Sequence, residues 1–347
     1  MKIINVTGIG NSGKGAVVDL LRSFSNTWAP ASSFEFDFFR INGGMIDFLE
    51  IISKDNSSIK TDMAFKRLKS NCIKMGINPK IIDLRGHFIS TGHRYDRLFS
   101  GNFTKITNEF LDDLVERKIK AYWPFDRLEK SYISNFFIKF FSRIGFSSLD
   151  YSFINQLNKD ELDKKFDKYI QDLFSCLGDR KYGVYVMNNF FDPYHINDFV
   201  KWFRGVKSIV VVRDPRDIYV SGLSGAQINK KNKKLLPQEN DGKEKSFLGT
   251  NDLDFFINRY KKNMESIDRG FPNSQLIIRF EDLIYDHKNT KKRILDFLEM
   301  DLGHEDSQES KFNPKLSMKN TFIWKKYDGV DEIDRIKLDL KDYIFDK

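Results

Sequence analysis

The first 21 residues pass from a strand pattern through a glycine-rich loop into a helix pattern, and this unit constrains the fold more than any other feature of the sequence. Residues 3–7 (IINVT) show the short apolar alternation of a buried strand, and GKGAVVDLLRSF has apolar residues at helical spacing. Between them, Gly8 is separated by four residues from Gly13 and Lys14. A strand, a glycine loop of this spacing and a helix together indicate a phosphate-binding α/β protein.

The loop predicts an anion site at the start of the first helix. Small residues let backbone N–H groups approach an anion, the helix dipole adds partial positive charge, and Lys14 adds a full charge. Gly15 stands where a nucleotide triphosphatase has the Ser or Thr that holds Mg²⁺. A tight glycine turn without a ligand is the alternative. The predicted ligand-binding residues of the loop are Asn11, Ser12, Gly13, Lys14, Gly15 and Ala16.

The composition is that of a globular protein with a moderate positive charge. The chain has 347 residues, of which 40% are hydrophobic and 31% charged, and its net charge is +8. This charge favours anionic partners, namely a nucleotide, an acidic glycan, nucleic acid or an anionic membrane surface. Two cysteines and five histidines show no metal-ligand spacing, so we expect no metal. The longest apolar run outside the strands, FFIKFF at 136–141, is too short to span a bilayer, and with no leader pattern the expected location is cytoplasmic.

Strand and helix patterns alternate in two blocks that flank a mostly helical stretch. A second strand is predicted over SSFEFDFF (32–39), and residues 43–179 contain helical patterns such as NEFLDDLVERKI and SYISNFFIKFFSRI. Alternation resumes at YGVYVM (182–187) and continues with KSIVVVR (207–213). The predicted fold is one α/β domain over residues 1–347, a P-loop-like doubly wound parallel sheet with helices on both faces, in which residues 45–175 form a helical insertion on the acceptor side.

A second candidate site lies in VVVRDPRDIYVSG (210–222). Arg213 ends the predicted strand, where ligands bind in open α/β sheets. Ser221 follows eight residues later, about two helical turns, so one phosphate can contact both side chains. A charge cluster at a helix N-terminus is the alternative.

This strand with RDPRD and the later serine resembles the 3′-phosphate motif of the PAPS-dependent sulfotransferase family. The resemblance implies that Arg213 and Ser221 hold the 3′-phosphate of PAPS, 3′-phosphoadenosine 5′-phosphosulfate, and that the first loop holds the 5′-phosphosulfate. LSMKNTFIWKKY resembles the family's late segment over the nucleotide, which adds Lys319 and Asn320 to the predicted donor site. LIIRFEDL is similar to the family's strand and Glu-Asp-Leu turn. Residues 188–220 are similar to a bacterial branch associated with cell-surface polysaccharide synthesis.

The resemblance implies a sulfotransferase that needs no metal, in agreement with Gly15. The implied partners are PAPS as donor and a saccharide, a lipid-linked saccharide or another small hydroxyl acceptor, with no nucleic acid and at most peripheral membrane contact. The resemblance covers residues 1–40 and 180–326, and we expect acceptor specificity in 45–175. Many family members have a basic residue where this chain has Asn11, so we expect Lys14 to supply that charge and to act in catalysis.

The acceptor hydroxyl also needs a base. EFDFF resembles the Glu-x-x-Phe-Phe of glycan sulfotransferases, which implies Glu35 as the base, and Asp37 on the same predicted strand face is its competitor. His87 and His93 in GHFISTGHRYDR are the alternatives seen in small-molecule sulfotransferases. The candidates for binding an acidic acceptor or the sulfuryl group are Arg40 and Arg94.

Two other functions remain open on the sequence. A P-loop kinase would need Mg²⁺, for which Asp214 is the available ligand. A noncatalytic nucleotide- or polyanion-binding protein would use the basic stretch 228–245 as its contact surface.

Overall fold

The structure, a computed structural model, describes residues 1–31, 34–54, 57–76, 95–120, 131–144, 150–154, 158–178, 181–194, 196–231, 248–268, 273–305 and 312–346. These residues form two compact units: unit 1 is Met1–Phe36 with Tyr182–Lys347, and unit 2 is Asp37–Lys181. The strands are β1 Lys2–Gly8, β2 Thr27–Trp28, β3 Val115–Lys120, β4 Asp150–Ile154, β5 Val184–Asn188, β6 Lys207–Val212 and β7 Gln275–Arg279. The helices are α1 Lys14–Leu21, α2 Met45–Lys54, α3 Ser58–Gly76, α4 Tyr95–Leu98, α5 Phe103–Leu114, α6 Tyr132–Arg143, α7 Lys159–Phe174, α8 Ile196–Val200, α9 Pro215–Lys231, α10 Leu253–Asp268, α11 Phe280–Tyr285, α12 His287–Leu298, α13 Pro314–Ser317 and α14 Val330–Asp339.

Unit 1 is built on a five-stranded parallel sheet in the order β2-β5-β1-β6-β7. Helices cover both faces, as alternate residues of β6 show. Ile209 and Val211 pack in a cluster with residues of α1, α11 and α12, whereas Val210 and Val212 pack in a cluster with residues of α9, α10 and α14. A strand buried on both faces explains the continuous apolar run of its sequence. The predicted α/β fold with a parallel sheet is confirmed.

The register of the sheet brings the two candidate sites together. β1 and β6 are paired so that Gly8 lies opposite Val211. The glycine loop leaves β1 just after this pair, and Arg213 follows β6 two residues beyond it. Because the strands are parallel, both segments emerge at the same edge of the sheet, which is where ligands bind in open α/β sheets.

The strand predicted over residues 32–39 is wrong in the part that the structure describes. Residues Asp37–Phe39 form a 3-10 turn, and the strand that pairs with β5 is Thr27–Trp28. The two adjacent side chains of Phe38 and Phe39 are both buried, with their rings 5.8 Å apart. A strand would point neighbouring side chains to opposite faces, and a tight turn lets both enter the same core.

Unit 2 contains a two-stranded antiparallel sheet within the stretch whose pattern predicts helices. The helix predicted over NEFLDDLVERKI ends at Leu114, and β3 continues the chain, antiparallel to β4. The partner strand comes from residues 150–154, so the pairing that selects a strand here is nonlocal. The predicted helix over SYISNFFIKFFSRI is confirmed as α6. Within the described part of the chain, no helix combines the length and apolarity that crossing a bilayer requires.

Candidate functional site

The guanidinium of Arg213 links three segments that the sequence analysis assigned to one donor site. One terminal nitrogen, Nη1, donates to the carbonyl oxygen of Asn11 at 2.8 Å and to Ser221 Oγ at 3.3 Å. The other, Nη2, donates to the carbonyl oxygen of Asn320. The loop after β1, the helix α9 and the late segment therefore meet at one cation.

The loop has the backbone shape of an anion cradle. Gly13 has a φ of 88°, and a Cβ there would stand 2.3 Å from the Phe280 ring, so no other residue fits without a rearrangement. Asn11 also has a positive φ, of 63°. The N–H of Ala16 donates to the Gly13 carbonyl at 3.0 Å. The first-turn N–H groups of Lys14 and Gly15 have no acceptor inside the helix and are the groups that an anion at a helix N-terminus binds.

Lys14 and Glu35 form an ion pair. Their Nζ and Oε1 atoms are 3.1 Å apart, and the side chains are 14% and 33% exposed. Glu35 is placed by the next residue, because the N–H of Phe36 donates to the Asn188 carbonyl at 3.2 Å and its ring stacks on Phe190. The predicted cation and the predicted base thus lie together at the end of β5, although each was identified from a separate motif.

Asp37, the competing base, belongs to unit 2 and has its own partners. Its Oδ1 accepts from Arg40 Nε at 2.8 Å, and its N–H donates to the Tyr95 hydroxyl at 2.8 Å. Burial raises the pKa of Tyr95 well above its ordinary value. Because residues 37–39 form a turn, the predicted common strand face for Glu35 and Asp37 is wrong.

RDPRD contains a second, fully internal ion pair. Arg216 donates from Nε to Asp214 Oδ1 at 3.0 Å and from Nη2 to Oδ2 at 2.7 Å, and both side chains are 2% exposed. Asp214 also accepts the N–H of Phe345 at 3.0 Å, and the guanidinium carbon lies 4.1 Å from the Trp324 ring centroid. Both Asp214 oxygens thus accept hydrogen bonds from Arg216, and Oδ2 also binds the C-terminal segment, which argues against the Mg²⁺ ligand that the kinase alternative requires.

Asp217 holds the late segment against α9, a role that the sequence analysis missed. Its carboxylate accepts the N–H groups of Phe322 at 2.8 Å and Trp324 at 3.2 Å, and it lies 3.8 Å from Arg213 Nη2. Burial raises the pKa of Asp217, and the Arg213 charge opposes this shift. The contact of Asn320 with Arg213 therefore depends on Asp217, which binds the backbone two and four residues further along the chain.

Glu281, from the Glu-Asp-Leu turn, hydrogen-bonds to the backbone of RDPRD. Its Oε1 accepts the Asp214 N–H at 2.9 Å, and burial raises its pKa from the usual 4.5 to about 7. Tyr260 donates to the Arg213 carbonyl at 2.9 Å. Burial also lowers the pKa of the Arg213 guanidinium. Of Glu281 and Tyr260, only Glu281 belongs to a motif that is recognisable in the sequence.

Unused polar atoms at the site fit an anionic ligand. Within the described residues, Arg213 Nε and Ser12 Oγ are buried and have no hydrogen-bond partner. Lys319, on the turn Met318–Asn320, is exposed next to the Arg213 contact. The described residues contain no group of three or more His, Cys, Asp or Glu side chains arranged for a metal ion. His87, His93, Arg94 and most of the basic stretch, residues 232–247, lie outside the described residues.

The sulfotransferase domain family matches residues 193–321, which include Arg213, Ser221, Glu281, Lys319 and Asn320. No curated protein sequence matches the chain. The sulfotransferase domain from the curacin biosynthetic pathway is 14% identical with a TM-score of 0.43, covering 98% of this chain and 97% of that one. Sulfotransferase STF9 from Mycobacterium avium is 12% identical with a TM-score of 0.39, covering 99% and 75%. The sulfotransferase domain of the Synechococcus PCC 7002 olefin synthase is 12% identical with a TM-score of 0.39, covering 100% and 95%.

Proposed function

We propose that this protein transfers a sulfuryl group from PAPS to a hydroxyl of a saccharide or another small acceptor. Its residues 193–321 match the sulfotransferase domain family. The observation that carries this proposal is the meeting of Asn11, Ser221 and Asn320 at the Arg213 guanidinium. A donor with a phosphate at each end of a nucleoside needs two anion sites, and the loop and Arg213 supply them at one edge of the sheet.

The donor contacts divide between these two sites. The first-turn N–H groups after Gly13, with Lys14, would hold the 5′-phosphosulfate. Arg213 and Ser221 would hold the 3′-phosphate, with Lys319 contributing charge from the late segment. The unpartnered Nε of Arg213 and Oγ of Ser12 support this assignment, because each is a buried polar atom for which a phosphate oxygen would be the missing partner.

Glu35 and Lys14 would carry the chemistry. The acceptor oxygen attacks the sulfur, the bond from sulfur to the bridging oxygen of the 5′-phosphate breaks, and adenosine 3′,5′-bisphosphate leaves. Glu35 takes the hydroxyl proton as this oxygen bonds to sulfur. Its ion pair with Lys14 places the Glu35 carboxylate beside the loop that would hold the 5′-phosphosulfate. Once Glu35 is protonated, the Lys14 charge is free to stabilise the leaving phosphate, so one proton transfer couples the two roles.

Acceptor selection would reside in residues 45–175, with cell-surface polysaccharide precursors as the proposed acceptor class. The family match leaves this region out. Unit 2 has a cavity of about 360 Å³ between α2 and α3, whose charged lining residues Asp47, Glu50, Lys60 and Arg67 can hydrogen-bond to sugar hydroxyls. Ala64→Leu would fill part of this cavity. We expect it to raise KM for the acceptor and to leave KM for PAPS unchanged. An unchanged acceptor KM would remove this cavity from the proposal.

Ligand-induced stabilisation tests the donor assignment directly. We expect adenosine 3′,5′-bisphosphate, in the presence of a chelator, to raise the free energy of unfolding by about 2.7 kcal/mol at a hundred times its Kd. Stabilisation by Mg·ATP alone would favour a kinase and overturn the proposal. A second assay measures transfer of labelled sulfuryl groups from PAPS to saccharide hydroxyls. Binding of the bisphosphate without transfer to any hydroxyl acceptor would favour the noncatalytic binding protein.

A further inference from the structure

Helix α6 exposes an unusual number of large apolar side chains. Seven such residues lie on it or directly after it, and their exposed fractions run from 47% at Phe141 to 92% at Tyr132. The other five are Ile133, Phe136, Phe137, Phe140 and Ile144. An apolar cluster of this kind on a protein surface marks a site of interaction, since isolated exposed hydrophobic residues are common and contiguous ones are not.

These side chains lie on one side of the helix. At 3.6 residues per turn, Phe136, Phe140, Ile133, Ile144, Phe137 and Phe141 fall within one continuous arc of somewhat less than half the circumference. Ser131, Asn135 and Ile138 lie on the opposite side, where Asn135 and Ile138 are partly buried. Ser134 borders Phe141, and Lys139 and Arg143 lie at the other edge of the apolar arc, next to Tyr132. This is the arrangement of an amphipathic helix, with its apolar face towards the surroundings and not towards a core.

We propose that α6 binds in the plane of an anionic membrane surface. The charged residues of α6 are Lys139 and Arg143, and its sequence YISNFFIKFFSR contains no carboxylate, so the helix complements anionic lipid headgroups. Cations at the edge of an aromatic face keep their heads among the headgroups while their stems cover the apolar side. The 12 residues of α6 span about 18 Å, so the helix lies along the surface and does not cross the roughly 30 Å hydrocarbon layer. This inference is independent of the proposed function.

Co-sedimentation of the full chain with vesicles tests the proposal. We expect binding to vesicles of phosphatidylcholine with phosphatidylglycerol, and weaker binding to phosphatidylcholine alone. Phe140→Ser should lower the partition coefficient about tenfold or more, because one buried aromatic side chain contributes that much. Phe255→Ser is the matched control, since Phe255 on α10 is 51% exposed and Phe140 is 53% exposed. We expect the control to bind vesicles like the wild type.

The contribution of Lys139 and Arg143 to vesicle binding can be measured separately. Lys139→Gln with Arg143→Gln should weaken binding to the anionic vesicles about fivefold per charge, with a smaller change on phosphatidylcholine alone. Circular dichroism should show the same folded content in all variants. Absence of wild-type binding to either vesicle, or equal losses for Phe140→Ser and Phe255→Ser, overturns the proposal. Sedimentation velocity identifies the competing occupant: a wild-type dimer that Phe140→Ser converts to a monomer, without vesicle binding, assigns the face to a second copy of the chain.

Discussion

The glycine loop with Glu35 and the RDPRD segment are both charged and lie at the same edge of one sheet, yet their charges are held differently. Lys14 and Glu35 are 14% and 33% exposed and are joined by one ion pair. The four charged residues of RDPRD are at most 6% exposed, and each is tied to backbone or side-chain groups of other segments. The greater exposure of Lys14 and Glu35 lets their ion pair open during a reaction, whereas the buried contacts of RDPRD make it a scaffold that leaves Arg213 Nε for a ligand.

The largest effect should come from Glu35→Gln. The amide cannot accept the proton of the acceptor hydroxyl, and removing a general base lowers kcat by roughly 10²–10⁴-fold. Because Glu35 is partly exposed, we expect the thermal unfolding midpoint to stay close to that of the wild type. Steady-state sulfuryl transfer at saturating PAPS measures the change.

Asp37→Asn is the matched control for this assignment. The Asp37 carboxylate is already paired with Arg40, so its replacement should leave kcat within a few fold of the wild type. A large loss of kcat for Asp37→Asn, together with an active Glu35→Gln variant, would transfer the role of base to Asp37.

On the scaffold side, Arg216→Met should lower the free energy of unfolding by about 3–5 kcal/mol. The change leaves the Asp214 carboxylate buried without its cation, and breaking such a pair is far costlier than losing a surface pair. Chemical denaturation measures it. Arg335→Met on α14 is the control, because Arg335 forms a half-exposed surface pair with Asp339, and we expect no measurable loss there. Equal stability of the two variants would contradict the scaffold role.

Glu281 gives the scaffold a pH dependence. Burial raises its pKa in the folded protein to about 7, so between pH of about 4.5 and about 7 the unfolded chain loses this proton while the folded chain retains it. The wild type should therefore lose stability across this window. Relative to Glu281→Gln, which cannot titrate, we expect the loss to be roughly 3 kcal/mol, with no difference in slope below the window. Parallel stability profiles of the two proteins would show that Glu281 titrates normally.

Local patterns sufficed to predict the parts of the molecule that depend on neighbouring residues. The strand, loop and helix around Gly13 follow from local periodicity, as does the buried β6 run, and Arg213 and Ser221 follow from a helical spacing of eight residues. The resemblance alone assigned Asn320 to the 3′-phosphate. The structure places the Asn320 carbonyl at Arg213, where Asp217 binds the backbone of residues 322 and 324.

Nonlocal pairings account for what the sequence patterns misread. β3 exists because residues 150–154 pair with it, and nothing within NEFLDDLVERKI signals that partner. The turn at 37–39 forms because the adjacent rings of Phe38 and Phe39 enter one core together with Phe103, which lies 65 residues after Phe38 in the chain. The Lys14–Glu35 pair likewise depends on Phe36 binding at the end of β5. The sequence shows the residue types at these positions, but it does not show which distant residues they contact.

Ser221→Ala should have the smallest effect of these substitutions. It distinguishes binding at the 3′-phosphate site from binding at the 5′ site. Ser221 Oγ lies 3.3 Å from Arg213 Nη1, so its hydroxyl can donate to a phosphate that Arg213 also binds. Loss of one such hydrogen bond should weaken binding of adenosine 3′,5′-bisphosphate about fivefold, or about 1 kcal/mol, by isothermal titration. Adenosine 5′-monophosphate is the matched ligand, since it lacks the 3′-phosphate, and its affinity should not change. An equal loss of affinity for both ligands would mean that the substitution disturbs the loop through Arg213 and Asn11. An unchanged affinity for both ligands would remove Ser221 from the donor site and leave Arg213 as the cation of that site.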